Sequence, residues 1–106
     1  VKQVILNLIL NAMQAMPDGG TLALEMYAEN NGVSIALTDN GVGMDKETLT
    51  QIFNPFFSTK ADGTGMGLSV SYGIIRGHGG TIEATSTPGQ GTQFVVWLPY
   101  DELFNE

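Results

Sequence analysis

The sequence contains no cysteine. That absence excludes a disulfide framework, structural zinc and thiol catalysis together. Basic residues are scarce: Lys2, Lys46, Lys60 and Arg76 stand against 11 acidic residues, for a net charge of −7. Such a surface repels nucleic acid and anionic membranes, so no nucleic-acid partner is expected. An anionic ligand needs local help, from backbone amides, a metal ion or one well-placed cation. No apolar run approaches the roughly 20 residues of a membrane span. The longest candidate, Val4 to Met16, is interrupted by Asn7, Asn11 and Gln14. No signal peptide is visible, which with the missing cysteines predicts a cytoplasmic location. There is no initiator Met and Val1 already reads as helix, so a fragment of a longer chain is expected.

The 106 residues suffice for one domain and one core. Residues 1–16 read as a helix, ended by Pro17-Asp18-Gly19-Gly20. Thr21 to Ala28 alternates apolar and polar, as a strand does, and Glu29-Asn30-Asn31-Gly32 is a hairpin turn. Val33 to Asp39 is the returning strand. Asp45 can cap a short helix running to about Phe53. An irregular loop over 54–65 leads to a second long helix, Gly67 to about Gly77, closed by Gly77-His78-Gly79-Gly80. Thr81–Ser86 and Gln93–Leu98 are strands, and an acidic tail follows from Tyr100. Hairpins join the strands, which predicts an α/β (α+β) two-layer sandwich with a mixed, mostly antiparallel sheet covered on one face by about three helices.

Three segments carry candidate chemistry. On a helical wheel Gln3, Asn7, Asn11 and Gln14 fall within a stripe about 80° wide, and nearly everything else on that helix is apolar. The helix therefore reads as buried, with one narrow polar seam. Either the seam faces a ligand cavity, where amide oxygens suit Mg²⁺ already carried by phosphates, or its amides bond neighbouring backbone. Second, Asp39-Asn40-Gly41-Val42-Gly43 follows a strand but precedes a helix, so a simple hairpin is disfavoured. Asp39 could accept a hydrogen bond from an exocyclic amine, with Gly41 and Gly43 letting backbone approach a flat ring. Third, Gly63-Thr64-Gly65-Met66-Gly67-Leu68 opens a helix, whose free amides suit phosphate, although a plain flexible linker reads the same way. It is not a Walker loop, because no Gly-Lys-Ser/Thr follows. Between the last two lies Phe53-Asn54-Pro55-Phe56-Phe57, a hydrophobic anchor for a lid or plain core, followed by Lys60, the loop's one cation.

Taken together, these segments resemble the catalytic domain of bacterial sensor histidine kinases, in the superfamily shared with gyrase, Hsp90 and MutL. Asn7-Leu8-Ile9-Leu10-Asn11-Ala12 is similar to the asparagine box, and Asp39 to Gly43 to the first glycine box. Phe53-Asn54-Pro55-Phe56 is similar to the phenylalanine box, Gly63 to Leu68 to the second glycine box, and Gly89-Gln90-Gly91-Thr92 to the last. Each box is weak alone; five in order are specific. The short lid looks most like the nitrogen-regulator type.

The resemblance implies a Bergerat ATP-binding fold over residues 1–99, an acidic tail over 100–106, and upstream sensor and dimerisation domains outside this fragment. Asn11, and with it Asn7, would hold Mg²⁺ on the phosphates of ATP. Asp39 would read adenine with Thr92 nearby. Gly65 and Gly67 would present amides to phosphate, beside Thr64, Met66 and Leu68, and Lys60 would touch phosphate. The γ-phosphoryl group would pass to a histidine on a separate dimerisation domain and on to an aspartate of a response regulator. The fragment would be monomeric and its parent a homodimer, membrane-anchored or not.

Two departures stand out. Gln14 occupies a place where many members carry a basic residue, and these residues lack the strand that usually precedes the first helix, so an incomplete sheet with an exposed edge is expected. The only histidine, His78, sits among glycines at a helix end and reads as structural rather than as phosphoacceptor. Two rivals are an ATP-hydrolysing relative of the gyrase or Hsp90 kind and a non-catalytic nucleotide-binding module. The first typically places a glutamate where this chain has Asn7.

Overall fold

A computed structural model describes residues 2–54 and 66–100. Helix α1 (Lys2–Gln14) leads into strands β1 (Leu22–Glu29) and β2 (Gly32–Asp39). A short helix, α2 (Lys46–Leu49), and a long one, α3 (Met66–Gly77), precede β3 (Thr81–Thr87) and β4 (Gly91–Pro99). The strands form one sheet in the order β1-β2-β4-β3, and every described pairing is antiparallel.

Local chemistry accounts for the turns. The β1–β2 hairpin turns through Asn30 and Asn31, at φ 52° and 59°, a left-handed conformation that asparagine tolerates better than most residues. Asp45 caps α2 as its sequence position suggests: its carboxylate accepts the Thr48 N–H at 2.7 Å. This bond holds the Asp45 carboxyl below the usual carboxylate range. Helix α2 is only one turn long; residues 50–53 continue as turns rather than helix. Helix α3 ends as its glycines predict. Gly79, at φ 79°, donates to the Arg76 carbonyl at 3.1 Å, and Gly80 donates to the Ile75 carbonyl at 2.9 Å. That pair of bonds is the Schellman closure.

The core lies on one face of the sheet. Register sets Ile35 of β2 opposite Val96 of β4, and Val96 opposite Ile82 of β3. Val4 and Leu8 of α1, Ile52 after α2, and Leu68 and Ile75 of α3 pack onto that face. This is the two-layer arrangement expected, with the helices on one side of the sheet. On the far face Trp97 donates its indole N–H to the Glu29 carbonyl at 2.9 Å, bracing the hairpin.

One expectation fails. Helix α1 is not buried all round: Leu6 is 50%, Leu10 46% and Met13 59% exposed. Leu24 and Met26 of β1 point to the helix side of the sheet, as their alternation predicted, yet they too are exposed. The cause is lateral placement. Helix α1 packs against α3 and β2, so the outer flank of α1 and the edge strand β1 lie beyond the helical layer.

Candidate functional site

The sheet assembles a polar row that no local pattern contains. Asp39, the last residue of β2, lies directly opposite Thr92 of β4, and Thr92 lies opposite Ser86 of β3. All three side chains point to the core face, at the end where the loop after β2 begins. Asp39 and Thr92 are only 5% and 6% exposed. Asp39 Oδ1 accepts the Gly41 N–H at 2.9 Å and the Thr92 N–H at 3.2 Å. Its other oxygen, Oδ2, takes no part in these bonds. No buried side-chain oxygen or nitrogen among the described residues lacks a partner, so Oδ2 reaches the surface. It stands there as an acceptor held in place by its anchored twin.

Ser86 ties the row to the loop. Its Oγ accepts the Met44 N–H at 2.8 Å, donates to the Gly91 carbonyl at 2.8 Å and lies 2.8 Å from Thr92 Oγ1. Sequence reading overlooked Ser86. The available signal was a polar residue on the inward face of a strand, in phase with Ile82 and Ala84.

The first glycine box is clamped from both sides. Val42 donates to the Ala15 carbonyl just past α1 at 3.0 Å, and Gly89 donates to the Val42 carbonyl at 2.7 Å. A Cβ on Gly41 would sit 2.3 Å from the Ala15 oxygen, and one on Gly43 2.1 Å from the Thr87 oxygen. Both glycines therefore lie tightly against protein backbone, where a side chain would not fit. Asn40 is likewise engaged, accepting the Thr21 N–H at 2.8 Å.

Asn7 and Asn11 lie half-buried on α1, and Gln14 is exposed. The seam turns toward α3: Asn7 Nδ2 donates to Ser71 Oγ at 3.3 Å, while Gln3 Nε2 donates to Asn7 Oδ1 at 3.0 Å. Gln3 and Asn7 thus make side-chain bonds, an arrangement not weighed from the sequence. Asn11 lies one turn before Ala15, against which the Asp39 loop packs, so the seam and the carboxylate loop adjoin. Among the described residues no three metal-binding side chains of His, Cys, Asp or Glu converge. Neutral amides fit a magnesium ion delivered on phosphate oxygens rather than a resident one.

Phe53 is half-buried, its ring 5.2 Å from that of Tyr72 and 6.5 Å from that of Phe94. Its visible role is packing beside the polar row, since Phe94 is two residues from Thr92 on the same face of β4. Met66 and Gly67 open α3, as the second glycine box predicts, and Leu68 is buried in the core. Lys60, Gly63, Thr64 and Gly65 lie outside the described residues.

The fold agrees with that of known relatives of the chain. Residues 1–102 match the family model of histidine kinase-, DNA gyrase B- and HSP90-like ATPases. The chain is 46% identical over 97 residues to the sensor histidine kinase ZraS of Escherichia coli K12, covering 92% of this chain and 21% of that protein. It is 41% identical over 99 residues to sporulation kinase A of Bacillus subtilis, covering 93% and 16% respectively. Among solved structures, the catalytic domain of histidine kinase ThkA superposes with a TM-score of 0.82 at 34% identity, over 92% of this chain and 64% of that one. The mycobacterial sensor histidine kinase MprB gives 0.80 at 25% identity, over 92% and 70%. The chain belongs to the histidine kinase-, DNA gyrase B- and HSP90-like ATPase family. Within it, the chain is a catalytic ATPase domain of the histidine-kinase type, with the Bergerat fold. It spans about a fifth of the length of the ZraS relatives. No helix among the described residues is long and apolar enough to cross a membrane.

Proposed function

We propose that this domain binds Mg-ATP and donates the γ-phosphoryl group to a histidine on a separate helical dimerisation domain of the same protein, from which an aspartate of a response regulator receives it. The observation that carries the reading is Asp39: a carboxylate with one oxygen locked by two backbone amides and the other facing outward. In this reading Oδ2 accepts from the exocyclic amine of adenine, with Thr92 beside it. Asn11 and Asn7 hold the magnesium, whose contribution when bound is to neutralise charge on the phosphate oxygens. The Asn7 carbonyl oxygen already accepts the Gln3 amide and keeps a second lone pair for the ion. Gly63 to Leu68 would offer backbone amides to phosphate, and Lys60 would add one positive charge. On a surface this acidic, those groups concentrate the attraction for an anion at one place.

Asn7 also favours transfer over hydrolysis. An amide cannot take a proton from water at neutral pH, and a general base typically contributes about 10²–10⁴-fold. A slow reaction with water preserves the phosphoryl group for a protein acceptor. His78 is not that acceptor: it ends α3, about 18 Å along the helix axis from the first residues of that helix. We place the domain in the cytoplasm as a monomeric module of a homodimeric parent, whether or not the parent is membrane-anchored.

The test is transfer of labelled γ-phosphate from ATP to an added histidine-bearing helical domain of the same parent. Label should appear on the added domain and not on this chain. Release of free phosphate with no labelled acceptor would instead favour the hydrolysing relatives. Bound ATP with neither outcome would favour a non-catalytic module.

A further inference from the structure

We infer that Ser86 determines base specificity, by forcing the hydroxyl of Thr92 to face the ligand as an acceptor only. The inference rests on the adenine reading of Asp39 and deepens it. Ser86 Oγ has three polar neighbours, each at 2.8 Å: the Met44 N–H, the Gly91 carbonyl oxygen and Thr92 Oγ1. It has a single hydrogen to share among them. Met44 brings its own proton. The Gly91 oxygen has none, so the contact is a hydrogen bond only if the Ser86 proton points there. Thr92 must then supply its own proton to Ser86. If instead Ser86 donated to Thr92, two bare oxygens would meet at 2.8 Å at Gly91, and a hydrogen bond would be lost.

The consequence falls on the next strand. With its proton committed to Ser86, Thr92 Oγ1 can offer a ligand only lone pairs. Asp39 Oδ2, opposite on β2, is a carboxylate oxygen and also only accepts. Two acceptors side by side match a group bearing two N–H bonds, which is the amine of a 6-aminopurine. A 6-oxopurine puts a third acceptor against them. A lone carboxylate would favour the amine by one hydrogen bond; the Ser86–Thr92 pair extends the same preference to a second contact. Sites that leave polar groups mismatched reject ligands more strongly than sites that merely fit poorly.

The experiment compares binding of ATP with binding of inosine triphosphate, of similar shape but with oxygen in place of the amine and a hydrogen on N1, by calorimetry on folded protein. The unmodified domain should prefer ATP. Thr92→Val, which removes the hydroxyl and keeps the volume, should weaken ATP and leave inosine triphosphate unchanged or tighter. Ser86→Ala frees the Thr92 proton to donate, and should lower the ATP preference about tenfold, the size of one hydrogen bond. Ser86→Thr keeps the hydroxyl and should restore the preference, which a merely structural role for the residue would not require. Combining Thr92→Val with Ser86→Ala should add no further loss of preference.

An inosine nucleotide weakened by Thr92→Val as much as ATP would overturn the inference, because Thr92 would then be a donor. So would an undiminished preference in folded Ser86→Ala. Should Ser86→Ala fail to fold, Thr92→Val tests the acceptor and Ser86→Thr the residue that orients it, and loss of the ATP preference in folded Ser86→Thr would overturn the inference. An unmodified domain that binds neither nucleotide, or binds both equally, refutes the adenine reading itself, and that result is distinct from both.

Discussion

Replacing Asp39 with asparagine probes the site with almost no change in shape. Oδ1 accepts two backbone N–H bonds, from Gly41 and Thr92. An asparagine has one oxygen and one amino group. Turning the amino group inward would set it against both backbone donors and break two bonds. The oxygen therefore stays inside, and Nδ2 takes the outward position held by Oδ2. The outward group changes from a charged acceptor to a neutral donor, facing the amine it is meant to bind. A hydrogen bond to a charged group is worth about 1.5–3 kcal/mol, so ATP affinity should fall roughly 10- to 150-fold. Affinity for inosine triphosphate should hold or rise, because its oxygen can accept from Nδ2. Calorimetry with both nucleotides, alongside a thermal melt showing an intact fold, measures this. An unchanged ratio of the two affinities would refute the assignment of Asp39 to the base.

Binding should depend on magnesium: chelating the metal should weaken ATP, and Asn11→Ala should remove most of that dependence. Equal affinity with and without Mg²⁺ in the unmodified domain would dismiss the metal role of the amide seam. His78→Ala should leave phosphotransfer to an added acceptor domain intact, and its loss in folded protein would reinstate His78 as a functional residue. Gly41→Ala should cost about 1–3 kcal/mol in a urea melt, since its methyl would press on the Ala15 carbonyl between two fixed segments; an unaltered midpoint would mean that loop is not clamped. The Asp45 cap has a pH signature. Because the Thr48 N–H lowers the Asp45 pKa on folding, the charged cap stabilises α2 above the ordinary aspartate pKa, and that contribution is lost as pH falls through the lowered folded value. The melting difference between Asp45 and Asp45→Asn proteins should therefore narrow in acid, and a difference that stays constant down to strong acid would refute the charge effect.

Much of this molecule follows from local rules. Asn30-Asn31 closes a hairpin because asparagine accepts left-handed backbone, Asp45 starts a helix because its carboxylate reaches the Thr48 amide, and Gly79 ends one because the closure needs positive φ. Alternation in β1 and β2 named the inward residues, and five spaced motifs named the family. Each of these is decided within a few residues, so each is written in the chain.

What the sequence left open involves partners far apart along it. Alternation placed Leu24 and Met26 on the helix side, but only the lateral packing of α1 against α3 determined that nothing described covers them. The glycines of Asp39–Gly43 are readable as permission for close approach; that backbone of Ala15 and Thr87 lies against them depended on how the loop is clamped. Asp39, Thr92 and Ser86 come from three strands and form one row only when those strands pair in register. The direction of a single hydroxyl proton then follows from which oxygens surround it. Composition and short-range pattern specify elements and their faces, because those depend on neighbouring residues. The chemistry of a site depends on which atoms meet across the sheet, and folding alone brings them together.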